Sequence, residues 1–120
     1  MGKRSRNRDK LSAPTTDYTD AEGNVLTLRG ALSPATRRDY AQLMSGESAG
    51  AAMTREDMWQ RGVEFLFERL AVRWVVSGVE TSKQKELLLR FRVASSGERT
   101  WIRTTLREHL AEWFPDVEAP

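Results

Sequence analysis

The sequence predicts a mostly α-helical fold, a small bundle of about four helices with a short N-terminal β-hairpin, and three observations predict it. From Thr54 onward, apolar residues recur every three or four positions, which is the period of an amphipathic helix. Helix-start signals precede the helical stretches, and a Gly-containing turn between short alternating segments comes before them. A chain of 120 residues is long enough to form one domain without disulfides.

Positive charge is concentrated at the start of the chain. The first ten residues carry five basic side chains and one acidic one, whereas the rest carry 14 basic and 16 acidic ones. Residues 1–16 lack the apolar periodicity that would offset the entropy of ordering them, so they are predicted to be a flexible basic tail. Residues 17–120 are predicted to be a single helical domain. In the tail, Arg4, Arg6 and Arg8 either bind nucleic acid weakly, with a strong salt dependence, or remain solvated.

A short hairpin is predicted over residues 17–30. Its turn is Glu22-Gly23-Asn24, and Leu26 and Leu28 alternate with polar or smaller neighbours. Because an isolated two-stranded hairpin is only marginally stable in water, we expect both leucines to pack on the helices.

The first two helices are separated by a predicted loop. Ser33-Pro34 is a helix start, because Ser accepts hydrogen bonds from free amides and Pro lacks the donor that would be unsatisfied there. This helix is expected to end near Met44. Residues 45–52 are mostly small and include two glycines, and they are predicted to be a flexible loop.

The central helix is predicted from Thr54 to about Ser77, with Gly78 in the left-handed conformation that ends many helices. Asp57 would place an acid in its first turn. The inner stripe of this helix is expected to consist of Trp59, Val63, Leu66, Leu70 and Trp74. Other large apolar residues widen the stripe, so this helix is expected to carry the core.

Two further helices are predicted at the C-terminal end. The third would begin with Thr81 or Ser82 as its cap and end near Ala94. The fourth would begin at Ser95 and Glu98, which have capping-box spacing, and end at Phe114-Pro115.

The residue inventory argues against an enzyme and against a metal or cofactor site. Cysteine is absent, which excludes disulfides and thiolate metal sites and favours a cytoplasmic location. The single histidine, His109, has no converging partners for general acid or base catalysis, and we interpret it as an interface or partly buried residue. No apolar run approaches the roughly 20 residues that would span a bilayer, so no membrane partner is expected.

Three arginines form the most distinctive charged pattern. Arg99, Arg103 and Arg107 lie at i, i+4 and i+8, which places them on one face of the fourth helix. This face has three interpretations: a solvated surface paired with acidic neighbours, a recognition helix that contacts phosphates, or a contact surface for an acidic protein. Trp101 and Trp113 would mark a binding patch if exposed, and exposed aromatic residues would also favour self-association into a homo-oligomer.

Two stretches resemble a known family. Residues 20–29 (Asp-Ala-Glu-Gly-Asn-Val-Leu-Thr-Leu-Arg) and the helix start at residues 33–40 resemble small tail assembly chaperones of long-tailed bacteriophages and prophages. Residues 74–79, 87–91 and 98–103 are similar to helical segments of prophage proteins of this size. The resemblance spans residues 17–115 and implies a short strand pair followed by helices.

The resemblance implies a non-catalytic chaperone that keeps apolar segments of a tape measure protein soluble until the tail tube forms. We expect a groove beside the central helix, formed by Phe67, Trp74 and Trp101, to receive the client, with Trp113 as a further contact. One alternative is a small nucleic-acid-binding regulator that uses the three arginines and the tail. Another is a virion connector or head-completion protein whose loop at residues 45–53 orders on assembly.

Overall fold

A computed structural model of the protein describes residues 14–46 and 54–120. Two β-hairpins form one antiparallel sheet with the strand order β1-β2-β3-β4. The strands are β1 (Thr15–Thr19), β2 (Val25–Arg29), β3 (Ala71–Val76) and β4 (Val79–Thr81). The helices are α1 (Pro34–Ser45), α2 (Arg55–Leu70), α3 (Gln84–Arg92) and α4 (Ser96–Trp113).

The predicted mostly helical bundle is wrong, because the domain is α/β, with four helices and a four-stranded sheet. The central helix ends at Leu70, and the segment expected to continue it is strand β3. Three β-branched valines in six residues favour a strand there. Ser77 and Gly78 both have positive φ, 52° and 79°, which makes them a two-residue hairpin turn. Gly78 therefore closes a hairpin and does not end a helix.

The sheet and the helices share one core. Leu26 and Leu28 are fully buried, which confirms that the first hairpin packs on the rest of the domain. Leu26 is paired with Trp74 across β2 and β3. The Trp74 ring meets the edge of Phe67 on α2 at 5.8 Å between centroids, and Phe67 stacks on Phe91 of α3 at 5.0 Å.

The ends of the two hairpins are tied together by one side chain. The Asn24 amide oxygen accepts a hydrogen bond from the main-chain N–H of Ser77 at 2.9 Å, and the Asn24 amide nitrogen donates to Asp20 at 2.9 Å. Burial would raise the pKa of Asp20, but the hydrogen bonds from Asn24 and its main-chain neighbours outweigh burial and lower it. The first turn is thus ordered by the same residue that contacts the second.

Three of the predicted helix starts are confirmed. Ser33 accepts from the main-chain N–H of Thr36, and Thr54 with Asp57 and Ser95 with Glu98 form reciprocal capping boxes. The predicted start of the third helix is wrong, because neither Thr81 nor Ser82 caps it. Thr81 is the last residue of β4, paired with Trp74, and α3 begins only at Gln84 without a side-chain cap.

The predicted tail extends too far along the chain. Thr15 and Thr16 were assigned to it, yet both lie in β1, paired with Arg29 and Leu28 of β2. Residues 1–13 of the predicted tail, and residues 47–53 of the predicted loop, lie outside the described residues. Within the described ranges, no helix is both long enough and apolar enough to cross a bilayer.

The turn at Ser77 distinguishes a hairpin from a helix by mutation. Asn adopts positive φ more readily than other residues with a β-carbon, whereas Ala is the best helix former. We expect Ser77→Asn to unfold at a higher urea concentration than Ser77→Ala, with about 1 kcal/mol between their free energies of unfolding. Far-ultraviolet circular dichroism during urea titration measures the unfolding of both variants. The reverse order of stability would indicate that residues 71–77 are helical.

Candidate functional site

A groove of about 920 Å³ lies between α2 and α4. Its apolar surface comes from Val63 and Phe91, which belong to the core, and from the half-buried Trp59. The α2 wall consists of Glu56, Asp57, Gln60, Arg61 and Glu64. The α4 wall consists of Ser96, Arg99, Thr100, Arg103, Thr104 and Arg107. The arginine face predicted from sequence spacing therefore forms one wall of this groove.

Aromatic rings and main-chain oxygens hold the three arginines. The Arg103 guanidinium lies 4.5 Å from the centroid of the Trp59 ring, and that of Arg99 lies 5.3 Å from the centroid of Phe91. Such cation–π contacts contribute about 0.5–1 kcal/mol at exposed sites. Arg103 and Arg107 each donate to the main-chain oxygen of Pro120 at 3.1 Å, and Arg99 donates to that of Arg92 at 2.6 Å.

None of these three arginines forms a salt bridge with an Asp or Glu side chain of residues 14–46 and 54–120. Carboxylates that lie nearby have other partners. Glu98 pairs with Arg90 at 2.6 Å, and Glu64 pairs with Arg92 at 2.8 Å. No Asp or Glu side chain of the described residues thus neutralises the three arginines of the α4 wall, whose hydrogen bonds go to oxygens of Pro120 and Arg92.

The α2 wall has the opposite charge. Glu56, Asp57 and Glu64 outnumber the single basic residue, Arg61. Hydrogen bonds from the Thr54 side chain and main chain lower the pKa of Asp57, so its carboxylate is ionised at neutral pH. The groove therefore has an apolar floor, one basic wall and one mainly acidic wall.

The aromatic residues predicted to bind a partner lie elsewhere. Phe67 is 0% exposed and Trp74 is 2% exposed, because β3 directs Trp74 into the core opposite Leu26. Trp101 and Trp113 are half-buried against the same core, and a methyl group on Gly30 would lie 3.0 Å from the Trp113 ring. None of the four lines the groove. Its tryptophan is Trp59, which was predicted to be a core residue and is half-buried at the edge of the core, with Arg103 over its ring.

The arginines of the predicted tail cannot be placed relative to the groove. Arg4, Arg6 and Arg8 lie outside the described residues. In the ranges that the structure does describe, no cluster of three or more His, Asp or Glu residues could hold a metal ion.

His109 is a structural residue with no exposed surface. Its Nε2 lies 2.8 Å from the main-chain oxygen of Arg29, which can only accept, so Nε2 carries the proton. Its Nδ1 then accepts from the Tyr18 hydroxyl at 2.8 Å. Burial lowers the pKa of His109, whereas burial and the charges of Glu112 and Glu108 raise the pKa of Tyr18. The pair joins the first hairpin to α4, and the His109 ring is buried while Tyr18 stays partly exposed.

Comparison with known proteins gives no relative: no family model matches the sequence, and neither the curated proteins nor the solved structures contain a significant match. The groove is thus the feature from which a function can be inferred.

The buried His109 gives the stability of the fold a defined pH dependence. An unfolded imidazole, with a pKa near 6.5, takes up a proton at a higher pH than the folded one, whose pKa is lowered. Stability is therefore fully present above about pH 6.5 and falls as pH drops towards the folded pKa. We expect the free energy of unfolding to decrease between pH 7.5 and 5.5, measured by urea titration at a series of pH values.

The matched variant is His109→Gln, because the chain has one histidine and Gln can also donate to Arg29 and accept from Tyr18. This variant should have a flat stability profile over the same pH range, at a lower overall stability. Equal slopes in the two proteins would show that His109 is not the titrating group.

Proposed function

We propose that this protein is a non-catalytic binding factor that holds an α-helical segment of a partner protein in the groove between α2 and α4. The observation that supports the proposal is the groove itself, which combines an apolar floor with charged walls. An amphipathic helix laid into a hydrophobic groove is a recurrent mode of recognition, in which the floor contributes affinity and the walls set the orientation.

The length of the α4 wall suits a helical segment. The α4 wall runs from Ser96 to Arg107, and a rise of about 1.5 Å per residue gives it a length of about 17 Å, or three helical turns. Trp59, Val63 and Phe91 lie along the floor. Three turns of a partner helix would place several apolar side chains on these residues. Anchors at i, i+3, i+4 and i+7 are typical of a helix bound in a groove.

The chemistry of the lining residues supports binding over catalysis. Catalysis by acid and base requires groups that converge on one substrate atom. In the groove, Asp57 is engaged in the cap of α2 and Glu64 is paired with Arg92. The only imidazole of the chain is enclosed between Tyr18 and Arg29, away from the groove.

The resemblance to tail assembly chaperones supports a specific client. Such a chaperone would hold apolar segments of a tape measure protein, which are long and helical in character, until tail-tube subunits surround them. We therefore propose an apolar helical segment of a tape measure protein as the occupant of the groove.

Nucleic-acid binding is the second candidate, and the arginine wall favours it. Arg99, Arg103 and Arg107 form no salt bridge with an Asp or Glu side chain of the described residues, and each guanidinium has further N–H donors that could contact phosphates. The acidic side chains of the opposite wall disfavour it, because they would repel a phosphate backbone lying in the groove.

Filling the groove tests the proposal. Gln60 and Gln42 are both exposed helical glutamines, but only Gln60 lines the groove. We expect Gln60→Trp to reduce the amount of co-purified tape measure protein by about tenfold, because the indole occupies the space of the client helix. Gln42→Trp, on α1, should retain the client.

Both variants should unfold at the same urea concentration as the parent within error, since neither side chain is buried. If Gln60→Trp and Gln42→Trp retain the client equally, the groove is not the binding site. A labelled DNA or RNA duplex bound at about 50 mM salt, and lost only in Gln60→Trp, would favour the second candidate.

A further inference from the structure

We propose that the groove selects a partner helix with one acidic edge, whose carboxylates lie at i, i+4 and i+8 and meet Arg99, Arg103 and Arg107. This inference rests on the proposed function and adds the chemistry of the partner to it. The second edge of the same helix is neutral or basic and faces the α2 wall, and the apolar stripe between the two edges lies on Trp59 and Phe91.

The α4 wall has unused capacity to donate hydrogen bonds. A guanidinium carries five N–H donors, and the structure shows Arg103 and Arg107 each giving one to Pro120, and Arg99 giving one to Arg92. The guanidinium groups of Arg103 and Arg99 lie over the rings of Trp59 and Phe91. The remaining donors of the three arginines are left for the carboxylates of a partner, with which guanidinium groups make their strongest hydrogen bonds.

The spacing of the three arginines matches a helix. Positions i, i+4 and i+8 span about 12 Å along α4, at about 1.5 Å per residue. A second helix packed at a small angle to α4 has the same rise, so acidic residues with the same spacing reach all three guanidinium groups. An extended peptide, with about 3.3 Å per residue, would present alternate residues at a different interval.

The opposite wall distinguishes a protein helix from a nucleic acid. Glu64 is paired with Arg92, but Glu56 and Asp57 still outnumber Arg61 there, so this wall keeps an excess of negative charge that repels a polyanion. A helix can place acidic residues on one edge and Lys or Arg on the other, and thus complement both walls at once. The charge pattern therefore favours an amphipathic protein helix over a phosphate backbone.

The test uses three labelled 16-residue peptides with the same leucine stripe and the same basic edge. Their second edge carries Glu, Gln or Lys at i, i+4 and i+8. We expect fluorescence anisotropy at about 50 mM salt to show the Glu-edge peptide binding about tenfold more tightly than the Gln-edge peptide. The Lys-edge peptide should bind most weakly. At about 500 mM salt the differences should shrink, because exposed charge pairs are screened.

A matched pair of charge reversals assigns the effect to α4. Arg99→Glu changes the groove wall without touching the Arg103 and Arg107 contacts to Pro120, whereas Arg38→Glu changes an exposed residue of α1 by the same charge. We expect Arg99→Glu to weaken the Glu-edge peptide about fivefold and to strengthen the Lys-edge peptide. Arg38→Glu should alter either affinity by less than about twofold.

Each outcome bears on the inference. Equal affinity for the Glu-edge and Gln-edge peptides, or equal effects of Arg99→Glu and Arg38→Glu, would overturn the acidic edge while the groove itself stays a binding site. If a labelled DNA duplex binds more tightly than every peptide and Arg99→Glu weakens that binding, the partner of the groove is a nucleic acid and not a protein helix. If no peptide binds, the inference fails, and the Gln60→Trp experiment decides separately whether the groove binds a client.

Discussion

Contact between Phe67 and Trp74 is the constraint on which the rest of the structure depends. In a continuous helix these residues would be separated by a rise of about 10.5 Å, too far for their rings to pack. Ending α2 at Leu70 and continuing as β3 brings their ring centroids to 5.8 Å and pairs Trp74 with Leu26. Phe91 stacks on the other side of the contact, at 5.0 Å from Phe67. Helices α2 and α3 and both hairpins therefore meet at one aromatic cluster.

The same cluster extends to the surface. Phe91 is buried by Phe67 on one side, lines the groove on another, and lies beneath the guanidinium of Arg99. The groove floor is thus an outgrowth of the core and not a separate patch, since Val63 of α2 also belongs to both. A floor fixed by core packing keeps its shape before a partner arrives, which reduces the ordering that binding requires.

Local signals were predictable from the sequence and non-local ones were not. The capping boxes at Thr54 and Ser95 and the first hairpin depend on residues within a few positions of one another. The boundary at Leu70 does not, because Leu66, Leu70 and Trp74 continue a helical period across it. Three valines and the Ser77-Gly78 turn favoured a strand, but its pairing partner β2 lies more than 40 residues earlier. The arginine face was predictable from spacing, whereas its aromatic neighbours required the tertiary structure.

The C-terminal segment explains why two of the wall arginines are held in place. Gly62 lets Pro120 approach α2, because a β-carbon there would lie 3.1 Å from that of Pro120 and 2.9 Å from the Met44 sulfur. With Pro120 seated, its main-chain oxygen accepts from both Arg103 and Arg107. Holding a long side chain before binding saves about 0.5–1.5 kcal/mol of ordering entropy. Gly62 on α2 thus lets Pro120 take the position from which its oxygen holds Arg103 and Arg107 on the α4 wall in place before a partner binds.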